Sequence, residues 1–555
     1  MDGIESPRGE PPEALAPLAT PGLGARGGPM ARARALLFRV SPWGPPLAAE
    51  EISRPRRTAV WVTGVLGACV ALQVVLVFRF LGLGVFVPEE ATEWSIQFLP
   101  QGFEAAAISA MGGLAKILGL IVAILAFVAV HAVAAAYRPR LMKAWGLGRL
   151  PTMGLYAVAP AAVILLVLFP LFGLGVAGAE TSVGTVAAGS TTVLASSLYA
   201  LVVDRSSASI ARTHPEGIEI SRRHFITASV AAIAFVAVGI AGLGAFVTST
   251  GRRLVTTYRE LLDGEVTPND EFYTVQKNFV APMVDPSTWQ LTVGGLVATS
   301  RTYTSAELLQ LSSREQYHTL ICVSNEVGGG LIGNARWSGV PLRQVLEDAG
   351  VRPGATWVEF TCADGYTVGV PLSKALDDGA FLALFMNGER LPHDHGFPVR
   401  ALIPGLYGMM NPKWINSISL VDREVVGYWQ RQGWTNEGTI RLVTIISLVP
   451  TDAHEGVETT VGGVTFAGDR RITRVEVSDD GGVTWNLAEV KEPLSEFAWA
   501  IWRYSWTPPR TGRVRLVARA WELRDGVEVA QEEMRQSPYP AGATGYDGYD
   551  VDVAP

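Results

Sequence analysis

Residues 318–325 read His-Thr-Leu-Ile-Cys-Val-Ser-Asn, and residues 386–400 read Met-Asn-Gly-Glu-Arg-Leu-Pro-His-Asp-His-Gly-Phe-Pro-Val-Arg. Any one such string carries little information, but an ordered set is specific. Cys322, inside the first string, is the most informative residue. Five shorter strings occur in a fixed order: Asn-Ala-Arg-Trp-Ser-Gly-Val-Pro-Leu at 334–342, Ala-Asp-Gly-Tyr-Thr at 363–367, Pro-Gly at 404–405, Lys-Trp at 413–414 and Gly-Tyr-Trp-Gln at 427–430.

The ordered strings resemble the sulfite-oxidase family of molybdopterin enzymes over roughly residues 265–535. The resemblance implies that the Cys322 thiolate binds molybdenum and that molybdopterin is the cofactor. From the residues alone, two other interpretations of Cys322 stay open. It is either a buried apolar side chain or one half of a disulfide with Cys362.

The resemblance assigns further residues to the cofactor. His395 and Arg400 fall in a His-Gly-Phe-Pro-x-Arg string that in relatives holds the pterin and its phosphate, and an arginine fork suits a phosphate group. Lys413 adds a point charge. The alternative for both cations is a surface position on a loop. Further cofactor contacts are expected from Asn269, Tyr273 and Thr361.

Departures from the family pattern bear on the substrate. Relatives carry an arginine soon after the Cys-x-x-Asn string, whereas residues 326–330 here read Glu-Val-Gly-Gly-Gly. The resemblance places Arg470 at the substrate, with Lys277 as a second cation, and puts Trp434 where relatives have a tyrosine. We therefore assign catalytic positions to Cys322, Arg470 and Trp434. Because fewer cations weaken the binding of a small dianion, we expect a neutral substrate such as a sulfoxide, with sulfite oxidation as the alternative.

The chain has 555 residues, 48% of them apolar, and a mean hydropathy of +0.25. This composition indicates several domains and a membrane part. The net charge of −7 gives no indication of nucleic-acid binding. Five apolar runs are long enough to cross the roughly 30 Å hydrocarbon core of a bilayer as helices, and they lie at 59–78, 113–136, 154–178, 184–203 and 226–248.

Basic residues set the expected orientation of these runs. Arg54 and Arg56 precede the first run and an acidic loop follows it, so residues 1–53 are expected to form a disordered cytoplasmic tail. Five crossings within 54–248 then place the C-terminal half outside the cell membrane. Residues 221–226, Ser-Arg-Arg-His-Phe-Ile, resemble a twin-arginine export signal. The alternative is a pair of arginines that only set topology.

Beyond a linker at 249–268, the patterning changes twice. Short strand-like runs alternate with helical stretches over 269–438, which predicts a mixed α/β domain of the sulfite-oxidase type. Residues 439–537 show period-two alternation with turn strings, which predicts an antiparallel β-sandwich. The resemblance makes this an immunoglobulin-like domain through which a homodimer forms. Residues 538–555 are expected to be an irregular tail.

The leading hypothesis is a multi-pass, membrane-anchored, outward-facing molybdopterin oxidoreductase that moves an oxo group to or from a small molecule. The sequence does not identify its electron-transfer partner, because His131 is the one histidine in an apolar run and a haem between helices usually takes two. The rival from another class is a non-catalytic external binding or assembly module. A transporter is a weaker interpretation, because Lys116 and His131 are the only ionisable residues in the runs.

Overall fold

The computed structural model of the chain describes residues 57–96, 98–99, 114–179, 181, 183–213, 252–278 and 281–555. Three predicted features lie outside the described residues: the tail at 1–53, the twin-arginine-like string at 221–226 and the fifth apolar run at 226–248. The described residues form a helical region up to residue 213, followed by an α/β domain and a C-terminal sandwich of strands.

The helical region contains long apolar helices. Four spans are long and apolar enough to cross a membrane: Val60–Arg79, Leu118–Trp145, Arg149–Leu171 and Gly184–Ala208. The first four predicted runs are therefore confirmed as apolar helices. The α-helices are α1 Arg57–Phe80, α2 Val87–Ile96, α3 Leu114–Trp145, α4 Arg149–Val163, α5 Phe169–Leu171 and α6 Gly184–Thr213, with a π-helical turn at Ile164–Leu168 and a 3-10 turn at Val176–Gly178.

Close helix contacts and one buried charge cluster hold the helical region together. α1 packs against α3 and α6. A Cβ atom at Gly64 would lie 2.7 Å from the Cα atom of Ala132, so a small residue is needed for this approach. Asp204 of α6 accepts hydrogen bonds from Arg138 of α3 and Arg149 of α4, each at 2.6 Å. This one carboxylate therefore ties three helices together.

Two five-stranded sheets form the α/β domain. One has the strand order β2-β1-β10-β5-β6, and the other has the order β3-β4-β7-β8 with β9 also paired to β7. Neighbouring strands are antiparallel except β1 and β10. The strands are β1 Gln290–Gly295, β2 Arg301–Thr304, β3 Arg314–Ile321, β4 Ile332–Pro341, β5 Trp357–Cys362, β6 Thr367–Pro371, β7 Phe381–Met386, β8 Glu389–Arg390, β9 Arg400–Leu402 and β10 Ile415–Val421.

Short helices connect these strands, which confirms the predicted mixed α/β class. α9 buries Leu342, Val345 and Leu346, because its apolar residues recur at helical spacing and share one face. Leu291 of β1 and Leu382 of β7 belong to the same buried cluster, so the two sheets share a core. The helices are α7 Tyr258–Asp263, α8 Ser305–Leu311, α9 Leu342–Ala349, α10 Leu372–Ala375 and α11 Tyr428–Arg431, with 3-10 turns at His393–His395 and Gly408–Met410.

Beyond residue 440, two further sheets share a second core. Their strand orders are β11-β13-β17-β16 and β12-β20-β18-β14-β15, with β19 also paired to β18. Trp502 of β17 packs there with Leu516 of β18 and Val551 of β20. The strands are β11 Val443–Leu448, β12 Ala453–His454, β13 Thr459–Phe466, β14 Ile472–Ser478, β15 Asn486–Leu487, β16 Glu489–Val490, β17 Ala500–Trp506, β18 Gly512–Arg524, β19 Val527–Ala530 and β20 Asp547–Ala554.

The prediction of an irregular tail was wrong for residues 547–554, which form strand β20 between β12 and β18. Two aspartates concealed this strand, because carboxylates are unfavourable in strands. In the structure, Asp550 pairs with Arg515 of β18 at 3.0 Å. Asp552 pairs in the same way with Arg513 at 3.3 Å. Cross-strand ion pairs therefore compensate for the low strand propensity.

The predicted linker at 249–268 is described from residue 252 onward, and this part is more ordered than expected. It contains α7, which begins at a capping box formed by Thr257 and Glu260. The Val255 N–H donates to the Ser447 carbonyl oxygen at 2.9 Å, so the segment lies against the sandwich.

Candidate active site

Cys322 directly follows strand β3 and begins a tight loop. Its N–H donates to the Leu331 carbonyl oxygen at 2.9 Å, and its own carbonyl oxygen accepts from the Asn325 N–H at 3.0 Å. The Asn325 side chain closes the loop, because Oδ1 accepts from the Leu331 N–H at 2.7 Å. The Cys-x-x-Asn spacing therefore orients the thiol, which lies 3.0 Å from the Ser324 hydroxyl oxygen.

The Cys322 side chain lies in a buried, aromatic environment, with the residue 7% exposed. None of the three cysteines forms a disulfide, so the structure does not support the bridge to Cys362. Burial, followed by the charge of the Cys322 thiolate, raises the pKa of Tyr273. A Cβ atom at Gly408 would lie 2.7 Å from the Tyr273 hydroxyl oxygen. A glycine at 408 therefore makes room for this tyrosine beside the thiol.

Arg400 begins strand β9 and is buried. Its Nη1 donates to the His395 carbonyl oxygen at 3.1 Å and its Nη2 to the Asn411 carbonyl oxygen at 3.2 Å. Among the described residues no carboxylate pairs with it, and its buried Nε atom has no hydrogen-bond partner. Burial lowers the pKa of Arg400, but a guanidinium stays protonated in proteins. A buried cation with an unused donor is suited to binding an anion.

Lys413 lies beside Arg400. Its Nζ donates to the Asp394 carbonyl oxygen at 2.9 Å and to Oε1 of Gln276 at 3.3 Å. Burial, followed by the charge of Arg400, lowers the pKa of Lys413 to about 7. Gly396 lies between the two cations with a φ of +116°, and a Cβ atom there would lie 3.0 Å from Lys413 Cβ and 3.1 Å from Arg400 Cβ. The structure therefore brings the two predicted phosphate-binding cations together.

His395 and Asn269 are in direct contact, with 2.8 Å between His395 Nε2 and the Asn269 carbonyl oxygen. Burial lowers the pKa of His395 to about 4, so the ring is neutral and Nε2 carries the donated hydrogen. The Asn269 side chain accepts from Asn387 Nδ2 at 2.9 Å and holds the turn after β7. Thr361 lies in β5, directly before Cys362. Cofactor contact by Asn269 and Thr361 stays a prediction.

Arg470 and Trp434 lie where the α/β domain meets the sandwich. Arg470 donates from Nε to Glu522 at 2.9 Å and from Nη2 to the Ile440 carbonyl oxygen at 2.7 Å. Glu522 is fully buried. Trp434 is buried and packs edge-on against Tyr539, with 5.3 Å between ring centres. Arg470 is thus ion-paired within the fold, although Glu522 also pairs with Arg524. The substrate roles of Arg470 and Trp434 stay predictions.

A cavity of about 560 Å³, which we call the junction cavity, lies where the helical region meets the α/β domain. Its lining includes Glu90 and Glu93 of α2, together with Lys277, Asp364 and Tyr428 of the α/β domain. Lys277 Nζ lies 2.6 Å from Glu93 Oε2 and 5.5 Å from the centre of the Tyr428 ring. The two glutamates were not predicted as site residues, although the acidic loop after the first apolar run was an available signal.

The junction cavity adjoins the surroundings of Cys322. The Tyr428 ring, which lines the cavity, lies 6.0 Å from the ring of Tyr366. The Tyr366 hydroxyl donates to the Met409 carbonyl oxygen at 2.7 Å. Burial, followed by the charges of Cys362, Asp364 and Cys322, raises the pKa of Tyr366. This tyrosine therefore stands between the cavity and the buried thiol.

The side chains fit a phosphate-bearing cofactor whose metal takes one protein thiolate. Arg400, with its unpartnered Nε atom, and Lys413 form the anion site. Within the part of the chain that the structure describes, no group of three or more His, Cys, Asp or Glu side chains could hold a metal ion. Cys322 would therefore be the chain's own ligand, and the cofactor would supply further donor atoms.

Comparisons with known proteins agree with this site. Residues 278–429 match the oxidoreductase molybdopterin binding domain, and residues 445–533 match the Mo-co oxidoreductase dimerisation domain. Mitochondrial sulfite oxidase of Drosophila melanogaster is 30% identical over 308 residues, which cover 46% of this chain and 53% of that protein. The Mus musculus enzyme is 33% identical over 291 residues, 44% of this chain and 53% of that protein.

A nitrate reductase [NAD(P)H] of Hordeum vulgare is 28% identical over 329 residues, which cover 48% of this chain and 37% of that protein. The chain spans about half the length of the two sulfite oxidases. Both family matches fall on the domains that hold Cys322, Arg400 and Arg470. Over residues 278–533, the chain is therefore similar to the sulfite-oxidase family of molybdopterin-dependent oxidoreductases.

Proposed function

We propose that this chain is a membrane-anchored, outward-facing enzyme that moves an oxo group to or from a small neutral molecule such as a sulfoxide. The supporting observation is that both cations expected near the substrate are paired. Lys277 is paired with Glu93, and Arg470 is paired with the fully buried Glu522. Cations matched by carboxylates offer little net attraction to a dianion, whereas a neutral oxo compound does not depend on that attraction.

The chain's residues take separate roles around the cofactor. When bound, the molybdenum cofactor supplies two-electron redox chemistry and oxo transfer. Cys322 would hold the metal from the loop that Asn325 closes. Arg400 and Lys413 would hold the phosphate, and His395, neutral because burial lowers its pKa to about 4, would hydrogen-bond without adding charge. The protein therefore orients the cofactor and keeps water from it.

Steady-state assays on purified, molybdenum-loaded protein test the substrate class. We expect sulfoxide reduction with reduced benzyl viologen to exceed sulfite oxidation with ferricyanide, and we expect a high KM for sulfite. The second candidate is a sulfite oxidase, and the relatives from Drosophila melanogaster and Mus musculus carry that name. Efficient sulfite oxidation with a micromolar KM that is lost in Arg470→Met would favour this second candidate.

Elemental analysis separates an enzyme from a non-catalytic binding module. Protein purified from a molybdenum-replete cell should contain about one molybdenum and one pterin per chain. Stoichiometric zinc, or no metal at all, would contradict the proposed enzyme.

The anchor and the orientation are part of the proposal. Four apolar helices long enough to cross a membrane support the anchor, and the basic residues that flank the apolar runs support an outward-facing α/β domain. Protease added to spheroplasts should digest the chain beyond residue 252. Replacing both Arg222 and Arg223 by Lys should protect that half if the arginines direct export. If digestion is unchanged, Arg222 and Arg223 only set the topology.

We also propose that the sandwich mediates a homodimer. The match of residues 445–533 to a dimerisation domain supports it, as do the exposed side chains of Val483 and Leu487, which are 80% and 68% exposed. Light scattering of the protein in detergent should give twice the chain mass. The Val483→Asp, Leu487→Asp double variant should shift the measured mass toward that of the monomer, because a buried interface does not accept unpaired charges.

A further inference from the structure

The junction cavity lies at the ends of the apolar helices. Gly84 and Val85 follow α1, Phe172 and Leu174 follow α5, and Val183 precedes α6; all five line the cavity. Its volume of about 560 Å³ is typical of a site for a small organic molecule. A molecule dissolved in the bilayer can therefore reach this cavity from the ends of three apolar spans.

The membrane-side wall of the cavity is aromatic. Trp94 of α2 lines it, and its ring centre lies 4.6 Å from that of Phe98 and 5.8 Å from that of Phe172. Aromatic side chains are favoured at the membrane interface. They also offer their faces to a flat ring. This wall suits a planar, apolar head group.

The opposite wall is polar and carries both acidic and basic side chains. Asn278 contributes a buried Oδ1 atom that has no hydrogen-bond partner among the residues that the structure describes. Lys277, held by Glu93, contributes a donor. A neutral ligand that carries hydroxyl groups when reduced and carbonyl groups when oxidised can bond both this donor and this acceptor. The ionisable side chains that line the cavity are three acids and three bases: Glu90, Glu93, Asp364, Arg79, Lys277 and Arg431.

We propose that the junction cavity binds the head group of a membrane-dissolved quinone or quinol, which exchanges two electrons and two protons with the molybdopterin site. The proposal rests on the proposed function and names its electron partner. In the reducing direction, the quinol loses two electrons and two protons and becomes a quinone. The sulfoxide gains the two electrons and the two protons. Its S=O bond then breaks, and a sulfide and one water molecule form. The two sites adjoin, because the Tyr366 ring contacts the cavity-lining Tyr428 and its hydroxyl bonds Met409. The neighbouring Gly408 packs against the Ile321 carbonyl oxygen, one residue before Cys322.

Glu90 is placed to carry a proton. It lines the cavity, and burial, followed by the charges of Glu93 and Glu89, raises its pKa to about 8. Its carboxyl group is therefore mostly protonated near neutral pH. A carboxyl group that titrates near the working pH suits proton transfer.

A comparison of two electron donors tests the proposal on the full chain in detergent. Decylubiquinol should support sulfoxide reduction, and Trp94→Ala and Glu90→Gln should each lower the ratio of quinol-linked to viologen-linked kcat/KM by roughly tenfold. Leu174→Trp, which fills the cavity without removing a polar group, should lower it too. Glu271→Gln, at an exposed pair with Arg253 away from the cavity, is the matched control. An unchanged ratio in all three cavity variants would overturn the proposal.

A binding measurement separates this proposal from the proposed function. Titration of decylubiquinone into Cys322→Ser protein should show saturable binding that Leu174→Trp weakens, whether or not the enzyme turns over. Viologen-linked sulfoxide reduction without quinone binding or quinol-linked turnover would overturn the quinone site and leave the proposed function standing. Quinone binding without viologen-linked turnover by molybdenum-loaded protein would support the quinone site and contradict the proposed function.

Discussion

Lys277 Nζ lies 2.6 Å from Glu93 Oε2, and the two side chains are only 8% and 13% exposed. The pair joins the α/β domain to α2 of the helical region, across 184 residues of sequence. Because breaking a buried ion pair leaves one uncompensated charge, this contact fixes how the domain sits on the helices. The Glu93 carboxylate also offsets the positive charge that Lys277 places in the junction cavity.

Glu93→Gln should improve the reaction with sulfite. The substitution keeps the shape of the side chain but removes the ion-pair partner of Lys277, so a small dianion gains a charge-assisted contact. Such a contact is worth on the order of 1.5–3 kcal/mol, and we expect the KM for sulfite to fall roughly tenfold or more in a ferricyanide assay. Lys277→Met in the same background should abolish the gain. A KM unaffected by Glu93→Gln would show that Lys277 does not face the substrate.

Cys322→Ser should abolish turnover without unfolding the protein. The loop backbone is held by Asn325 and Leu331, so a change of sulfur to oxygen leaves it in place, while the soft ligand is lost. Cys362→Ala is the matched control, because Cys362 is also buried but lies outside the assigned ligand string. It should keep turnover and cost about 1 kcal/mol of stability. Retained turnover in Cys322→Ser would contradict ligation by this thiolate.

Inorganic phosphate should stabilise the cofactor-free protein through Arg400. Its buried guanidinium has an unused Nε donor, so a bound anion satisfies both the charge and the donor. At a phosphate concentration of ten times Kd, the gain in unfolding free energy is about 1.4 kcal/mol, measurable as a rise in Tm. Arg400→Met should lose that gain. Arg503→Met, at an exposed pair with Glu489 on the sandwich, should keep it.

Lys413 should make the stability of the cofactor-free protein depend on pH. Burial lowers its pKa to about 7 in the folded state, whereas the unfolded chain has the ordinary value of ~10.4. Between these values the unfolded state binds more protons, so the free energy of unfolding rises with pH across that window.

Thermal melts at several pH values check this expectation. Lys413→Met should reduce the rise in Tm between pH 7 and 10, relative to the unsubstituted protein. Lys491→Met, whose ammonium pairs with Glu265 at 2.7 Å, should leave the rise in place. Equal slopes in all three proteins would contradict a lowered pKa of Lys413 in the folded state.

Features set by short strings or by length were predictable. The first four apolar runs form helices, because a stretch of about 20 apolar residues is stable inside a bilayer as a helix. The Cys-x-x-Asn string closes its own loop, since Asn325 bonds a backbone group only six residues away. Arg400 and Lys413 converge because Gly396, between them in space, has no side chain.

Features set by distant partners were not predictable. The sequence shows Lys277 and Arg470 as cations but not that Glu93 and Glu522 neutralise them, since each pair depends on how separate elements pack. Strand β20 was missed for the same reason. Its aspartates become acceptable only once β18 presents arginines opposite them.

The position of β20 also bears on how the enzyme is made. The strand lies inside its sheet, bonded to β12 on one side and β18 on the other. Asp547 at its start is buried and accepts hydrogen bonds from the Ile446 N–H and from Arg252. The sandwich therefore cannot close while residues 547–554 are still on the ribosome. Completion of the catalytic half therefore waits until residues 547–554 have been made, because Asp547 bonds Arg252, which lies 295 residues earlier in the chain.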